Sequence, residues 1–105
     1  MASNELLCRL EPSAGGWRVL GDLNFTSAPQ LLTQAKAQLD FSQSLQIDLS
    51  QVNHADSAGL ALMLEWLEQA QAAQGSIQFH AIPEALVNLA QLCNVEGLIG
   101  GERPA

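Results

Sequence analysis

The chain has 105 residues, 48% hydrophobic and 14% charged, a composition that suits one packed core and excludes a disordered segment. Acidic residues outnumber basic ones 11 to 4, a formal charge of −7, which excludes the basic footprint of a nucleic-acid binder or of docking on anionic lipid. The same balance fits a protein partner that offers Lys and Arg.

The first expected element is a strand over Leu6 to Leu10, then a turn through Pro12-Ser13-Ala14-Gly15-Gly16. A second strand runs from Trp17 to Leu23, with Trp17, Val19 and Leu23 on one face. So short a link makes the two an antiparallel hairpin. Ser27-Ala28-Pro29-Gln30 has the spacing of a capping box, with Ser27 as the cap and Pro29 tolerated in the first turn. Ala28, Leu31, Leu32, Ala35 and Leu39 then recur at helical spacing and turn one face inward. Leu45 to Leu49 alternates apolar and polar residues as a central strand. The residues from Ser50 to Asp56 are expected to form a loop.

A helix follows. Leu60 to Ala73 contains no Gly, Pro or β-branched residue and is built from strong helix formers. Asp56 is expected to be its N-cap. Ser57 then stands on the first turn, where unpaired N–H groups and the helix dipole favour negative charge. Leu60, Met63, Leu64, Leu67 and Ala70 gather on one side, assigned to the core. Ala58, Leu62 and Trp66 form a separate line flanked by Glu65 and Gln69, and this line is expected to face outward as a partner patch.

After Gly75, Ser76 to Ala81 is expected to be a strand with Ile77 and Phe79 on one face. Pro83 opens a last helix whose buried stripe is Leu86, Leu89, Ala90 and Cys93. Asn94 is the expected left-handed cap, with Val95 as its apolar contact. Leu98 and Ile99 close the core, and residues 100–105 form a frayed tail. The order is βαβαβα after an opening hairpin strand. The expectation is an α/β single domain over 1–105, with a mixed sheet of four to five strands (an antiparallel hairpin, then parallel strands) covered by three to four helices.

Catalysis is not expected, and neither is a cofactor or a metal. His54, Asp56 and Ser57 lie too close in sequence to reach the geometry of a triad, and His80 is read as a strand residue. No phosphate loop, dinucleotide turn or HExxH helix occurs. Asp48 and Asp56 suggest a carboxylate pair near the helix start, but phosphoryl chemistry there would want further acids and a lysine, and the chain has only Lys36. Cys8 and Cys93 have no neighbours at ligand spacing and are read as reduced core residues. Met1 to Glu5 lacks the basic and apolar regions of a signal peptide, and the apolar run Leu60 to Leu64 is too short to span a bilayer. A soluble, cytoplasmic protein without membrane insertion is expected.

Gly21-Asp22-Leu23-Asn24, Ile47-Asp48-Leu49-Ser50, Val52 and Asp56-Ser57-Ala58-Gly59-Leu60 resemble the STAS domain of anti-sigma-factor antagonists. The resemblance runs through essentially the whole chain and implies a STAS-type fold. It also implies that the hydroxyl residue of the loop-to-helix element, here Ser57, is a phosphoacceptor for a partner kinase. A narrower similarity, carried by Gly59 to Leu67 and by Ile82-Pro83, Leu86, Leu89-Ala90, Leu92, Val95 and Leu98-Ile99, is to MlaB-type STAS proteins. That similarity implies an accessory subunit that docks on the ATPase of the Mla phospholipid-transport ABC system, peripheral to the inner membrane and supporting outer-membrane lipid asymmetry. The surface read from the residues, Asp56, Ser57, Ala58, Gly59, Leu62, Glu65 and Trp66 with Asp48 in support, coincides with the partner site that both similarities imply. One departure separates the two readings. Many anti-sigma antagonists carry hydroxyls at both positions between Asp and Gly, whereas Ala58 leaves Ser57 alone, which fits a constitutive subunit better. A third implication is a small-ligand carrier, since some STAS domains hold apolar or nucleotide ligands.

Overall fold

In the computed structural model, which describes residues 8–100, four strands form one sheet in the order β1-β2-β3-β4. The strands are β1 (Cys8–Ser13), β2 (Gly16–Leu23), β3 (Ser44–Ala55) and β4 (Ser76–His80). The helices are α1 (Ala28–Gln38), α2 (Ser57–Ala72), α3 (Glu84–Leu92) and α4 (Glu96–Ile99). β1 and β2 pair antiparallel, and β2, β3 and β4 run parallel. This is the expected mixed sheet. The expected start of β1 at Leu6 and the tail beyond Gly100 lie outside the described residues.

Alternation sorts each strand into two faces. Cys8 and Leu10, Val19 and Leu23, Leu45, Ile47 and Leu49, and Phe79 are buried. Their neighbours Arg9, Gln46, Asp48, Gln78 and His80 are not. Successive parallel crossovers of one hand, each to the next strand, place their helices on the same side. The helices therefore cover one face and leave the other open. At the edge of β1, Gln34 of α1 meets the backbone of Leu10 twice, accepting its N–H at 3.0 Å and donating to its carbonyl at 2.9 Å. Those are groups that an edge strand would otherwise leave bare.

Several local expectations fail, each for a physical reason. Ser50 to Ala55 continues β3 instead of forming a loop, staying paired to β2 as far as Leu23 and Ala55. Twice along this stretch β3 takes one residue more than β2, so the period of two is lost while the pairing persists. Gly21, with φ 108°, lies beside the second slip. The capping box is absent as well. Ser27 is buried, and its hydroxyl turns back to donate to the carbonyl of Asp22 at 2.6 Å. Asn24 takes over the turn, its Oδ1 accepting the N–H groups of Thr26 and Ser27 at 2.9 and 3.1 Å.

At the other end of the chain, Cys93 and Leu98 are exposed and do not close the core, whereas Ile99 does. Asn94 holds φ 61° as the left-handed cap, with Val95 N–H reaching Ala90 at 2.8 Å and Asn94 N–H reaching Gln91 at 3.0 Å. That is the Schellman pattern. α2 ends in the same pattern, but Gln74 and not Gly75 takes the positive φ. Gly75 is needed for space, because a Cβ there would lie 2.0 Å from the carbonyl oxygen of Phe41.

Candidate partner-binding site

The C-terminal ends of β2 and β3 bring two helix starts together. The N–H of Asp56 donates to the carbonyl of Leu23 at 3.2 Å, so α2 begins beside the end of β2. Asp56 caps α2 as expected, its Oδ1 accepting from the N–H of Ala58 at 2.8 Å. On the β2 side, the Asn24 turn projects Phe25 into solvent, and its side chain is 71% exposed. Between α1 and α2 a groove of about 390 Å³ is lined by Phe25, Pro29, Leu32, Ala61, Leu62 and Glu65, with Ala28 and Ala58 also contributing. Its lining is almost entirely apolar apart from the carboxylate of Glu65, which accepts a hydrogen bond from Gln69 at 3.1 Å.

The sequence-derived surface is therefore divided. Ser57 and Glu65 are exposed. Ala58 and Leu62 touch the groove although both are buried among the core residues. Gly59 faces inward, where a Cβ would lie 3.0 Å from Leu23 and 3.4 Å from Leu86, so it sets how closely α2 sits on the sheet and on α3. Trp66 is not on the surface at all, with a relative exposure of 0%. The outward stripe of Ala58, Leu62 and Trp66 is thus a correction. α2 is packed by α1 on one flank, by α3 and α4 on the other and by β4. Its buried arc is consequently wide and centred on Gly59, Trp66 and Ala70, roughly a quarter turn from the side assigned to the core. Leu64 and Leu67, on the assigned side, are only half-buried.

Asp48 does not join this site. It sits on the open face of the sheet, seven strand steps from the end of β3, roughly 20 Å away by the rise of a strand, so it makes no carboxylate pair with Asp56. His54 pairs with Asp22 across β2 and β3, Nδ1 to Oδ1 at 3.3 Å, and not with Ser57. Among the described residues no cluster of His, Cys, Asp and Glu is arranged to hold a metal. Phe25 was missed by sequence reasoning, and Pro29 and Leu32 were read only as a first-turn residue and an inward-facing one. The available signal was a large aromatic standing alone in a polar turn, Asn24-Phe25-Thr26, where nothing in the local pattern explains it.

A sequence profile described as "Mlab, STAS domain" matches residues 8–100. The chain belongs to that family. The match spans all four strands and all four helices of this MlaB-type STAS domain, and the family is generally a binding domain and not a catalytic one. No curated protein matches the chain. Among the described residues no helix of the STAS domain is long and apolar enough to cross a membrane.

Proposed function

We propose that this protein is a non-catalytic cytoplasmic subunit that docks on the ATPase of an Mla-type phospholipid-transport ABC transporter and supports its activity in maintaining outer-membrane lipid asymmetry. The observation that carries the reading is the apolar groove between α1 and α2, with an exposed aromatic on one wall and an acid at its rim. Covering the ring of Phe25 contributes about 1.5–3 kcal/mol, the scale of a binding hot spot. Glu65 and the formal charge of −7 favour a partner surface that carries Lys or Arg. The MlaB-type family match supports a transporter subunit over other binding roles.

Phe25→Ala tests this directly. Co-purification with an Mla-type ATPase is lost, while the unfolding free energy stays within about 0.5 kcal/mol of wild type, as for a surface substitution. Wild-type co-purification by the variant rejects the groove.

A second reading, an anti-sigma-factor antagonist switched at Ser57, is favoured by the exposure of that hydroxyl on the first turn of α2. Incubation with ATP and an anti-sigma-factor kinase followed by intact-mass measurement decides it, since an unchanged mass removes phosphorylation as the switch.

A further inference from the structure

We propose that the open face of the sheet carries a second site, separate from the partner groove, that binds a neutral polyol or sugar. Gln46, Asp48 and Ser50 alternate along β3 with the core residues Leu45, Ile47 and Leu49, so all three stand on the face away from the helices. His80 of β4 is in register with Asp48 and adds an imidazole to the row. With Trp17 and the β1–β2 turn, these four side chains line a groove of about 530 Å³. The turn comes so close that a Cβ on Gly16 would lie 2.4 Å from the carbonyl oxygen of Gln46. Backbone therefore forms one wall.

The hydrogen-bonding capacity of the row is only half used. Asp48 Oδ1 accepts from the N–H of Ser50 at 2.8 Å, and Oδ2 has no partner among the described residues. Gln46 Oε1 and His80 Nε2 pair with each other, and Nδ1 of the ring has no partner among the described residues. The amide nitrogen of Gln46 keeps its donors, and the hydroxyl of Ser50 both donates and accepts. Free donors and acceptors are thus interspersed, and hydroxyl groups, each able to do both, match that arrangement. A phosphate would meet the Asp48 carboxylate on a chain of formal charge −7. An ammonium would set donor against donor at Gln46, and it would be repelled by Arg18, which is in register with Asp48 on the other side. Arg18 is itself held by Glu11 at 3.2 Å.

The test is an NMR titration of the nitrogen-15-labelled full chain with myo-inositol, with ethanolamine and inorganic phosphate as parallel probes. Inositol produces saturable shifts at the Gln46 side-chain amide and at the Asp48, Ser50 and His80 amides, with a dissociation constant on the order of millimolar. Asp48→Asn keeps an oxygen to accept from Ser50 but removes the charge that strengthens the bond a carboxylate accepts from a hydroxyl, so affinity falls about tenfold while the spectrum stays native. The proposal is overturned if inositol fails to saturate, if ethanolamine or phosphate binds as well as inositol does, if Asp48→Asn binds undiminished, or if the shifts fall at Phe25 and Leu62 instead.

Discussion

Replacing Trp66 by Ala separates a core role for the indole from a surface role. Trp66 is 0% exposed and heads the largest fully buried side chains. Truncating a buried tryptophan costs about 3–5 kcal/mol, the lost transfer energy plus the cavity left behind. Against a total stability of about 5–15 kcal/mol, that loss lowers the unfolding midpoint by about 12–40 °C in a domain of this size. Trp66→Phe separates volume from polarity. The indole Nε1 is buried with no hydrogen-bond partner among the described residues, and an unpaired donor costs about 1–3 kcal/mol. Phenylalanine removes that cost while leaving a smaller void, so the net change is expected to stay under about 1.5 kcal/mol. Thermal and urea unfolding, followed by circular dichroism, read both variants. A Trp66→Ala protein that melts with wild type would refute the burial and restore the outward stripe.

Three further outcomes follow from the same structure. Asp56→Ala removes the acceptor 2.8 Å from the N–H of Ala58 and costs about 0.5–2 kcal/mol by urea titration, with Asp56→Asn recovering most of it. A colorimetric thiol reagent at neutral to mildly alkaline pH modifies one cysteine per native chain, the exposed Cys93, and reaches Cys8 only after unfolding. Burial first, and then the Asp22 carboxylate, push the Cys8 thiol up to about 11. Because the folded value is the raised one, the neutral thiol favours the fold below the ordinary thiol range. That contribution is lost as the pH climbs from there through about 11. A Cys8→Ser variant lacks this alkaline loss.

The legible parts of the sequence were those in which one local pattern decides the outcome. The Asp56 cap, the uninterrupted helix formers after it and the left-handed Asn94 needed no tertiary information. The misread parts depend on what lies alongside. Ser50 to Ala55 is strand because β2 is there to pair with it, and its two slips hide the alternation that would have marked it. Ser27 looks like a helix cap until the carbonyl of Asp22 is brought within 2.6 Å of its hydroxyl. At the candidate site the error was one of rotation. Helical spacing gave two apolar lines on α2, but which line faces the sheet depends on the neighbouring helices. The residue that replaces Trp66 as the exposed aromatic is Phe25, from a different element altogether. Asp56, Ser57 and Glu65 remain beside that surface because helix polarity and solvation, and not the azimuth of the core, place them.

Ser57 offers a way to separate fold from function at this surface, because the two effects of a negative charge there have opposite signs. The side chain is exposed on the first turn of α2, a turn with no acidic residue of its own. A carboxylate there gains about 0.3–1 kcal/mol from the helix dipole. Repulsion from Asp56, whose Oδ1 already occupies the N–H of Ala58, reduces that gain without abolishing it, since the first turn leaves further N–H groups unpaired. Ser57→Glu is therefore expected to unfold at the wild-type temperature or slightly above it. Docking of a partner over the adjacent groove would, however, desolvate the new charge, and an unpaired charge at the edge of an apolar contact weakens binding. The expected outcome is a protein at least as stable as wild type that no longer retains the ATPase on a column, with Ser57→Ala stable and still binding. If Ser57→Glu retained the ATPase fully, the docking surface would have to lie away from the start of α2.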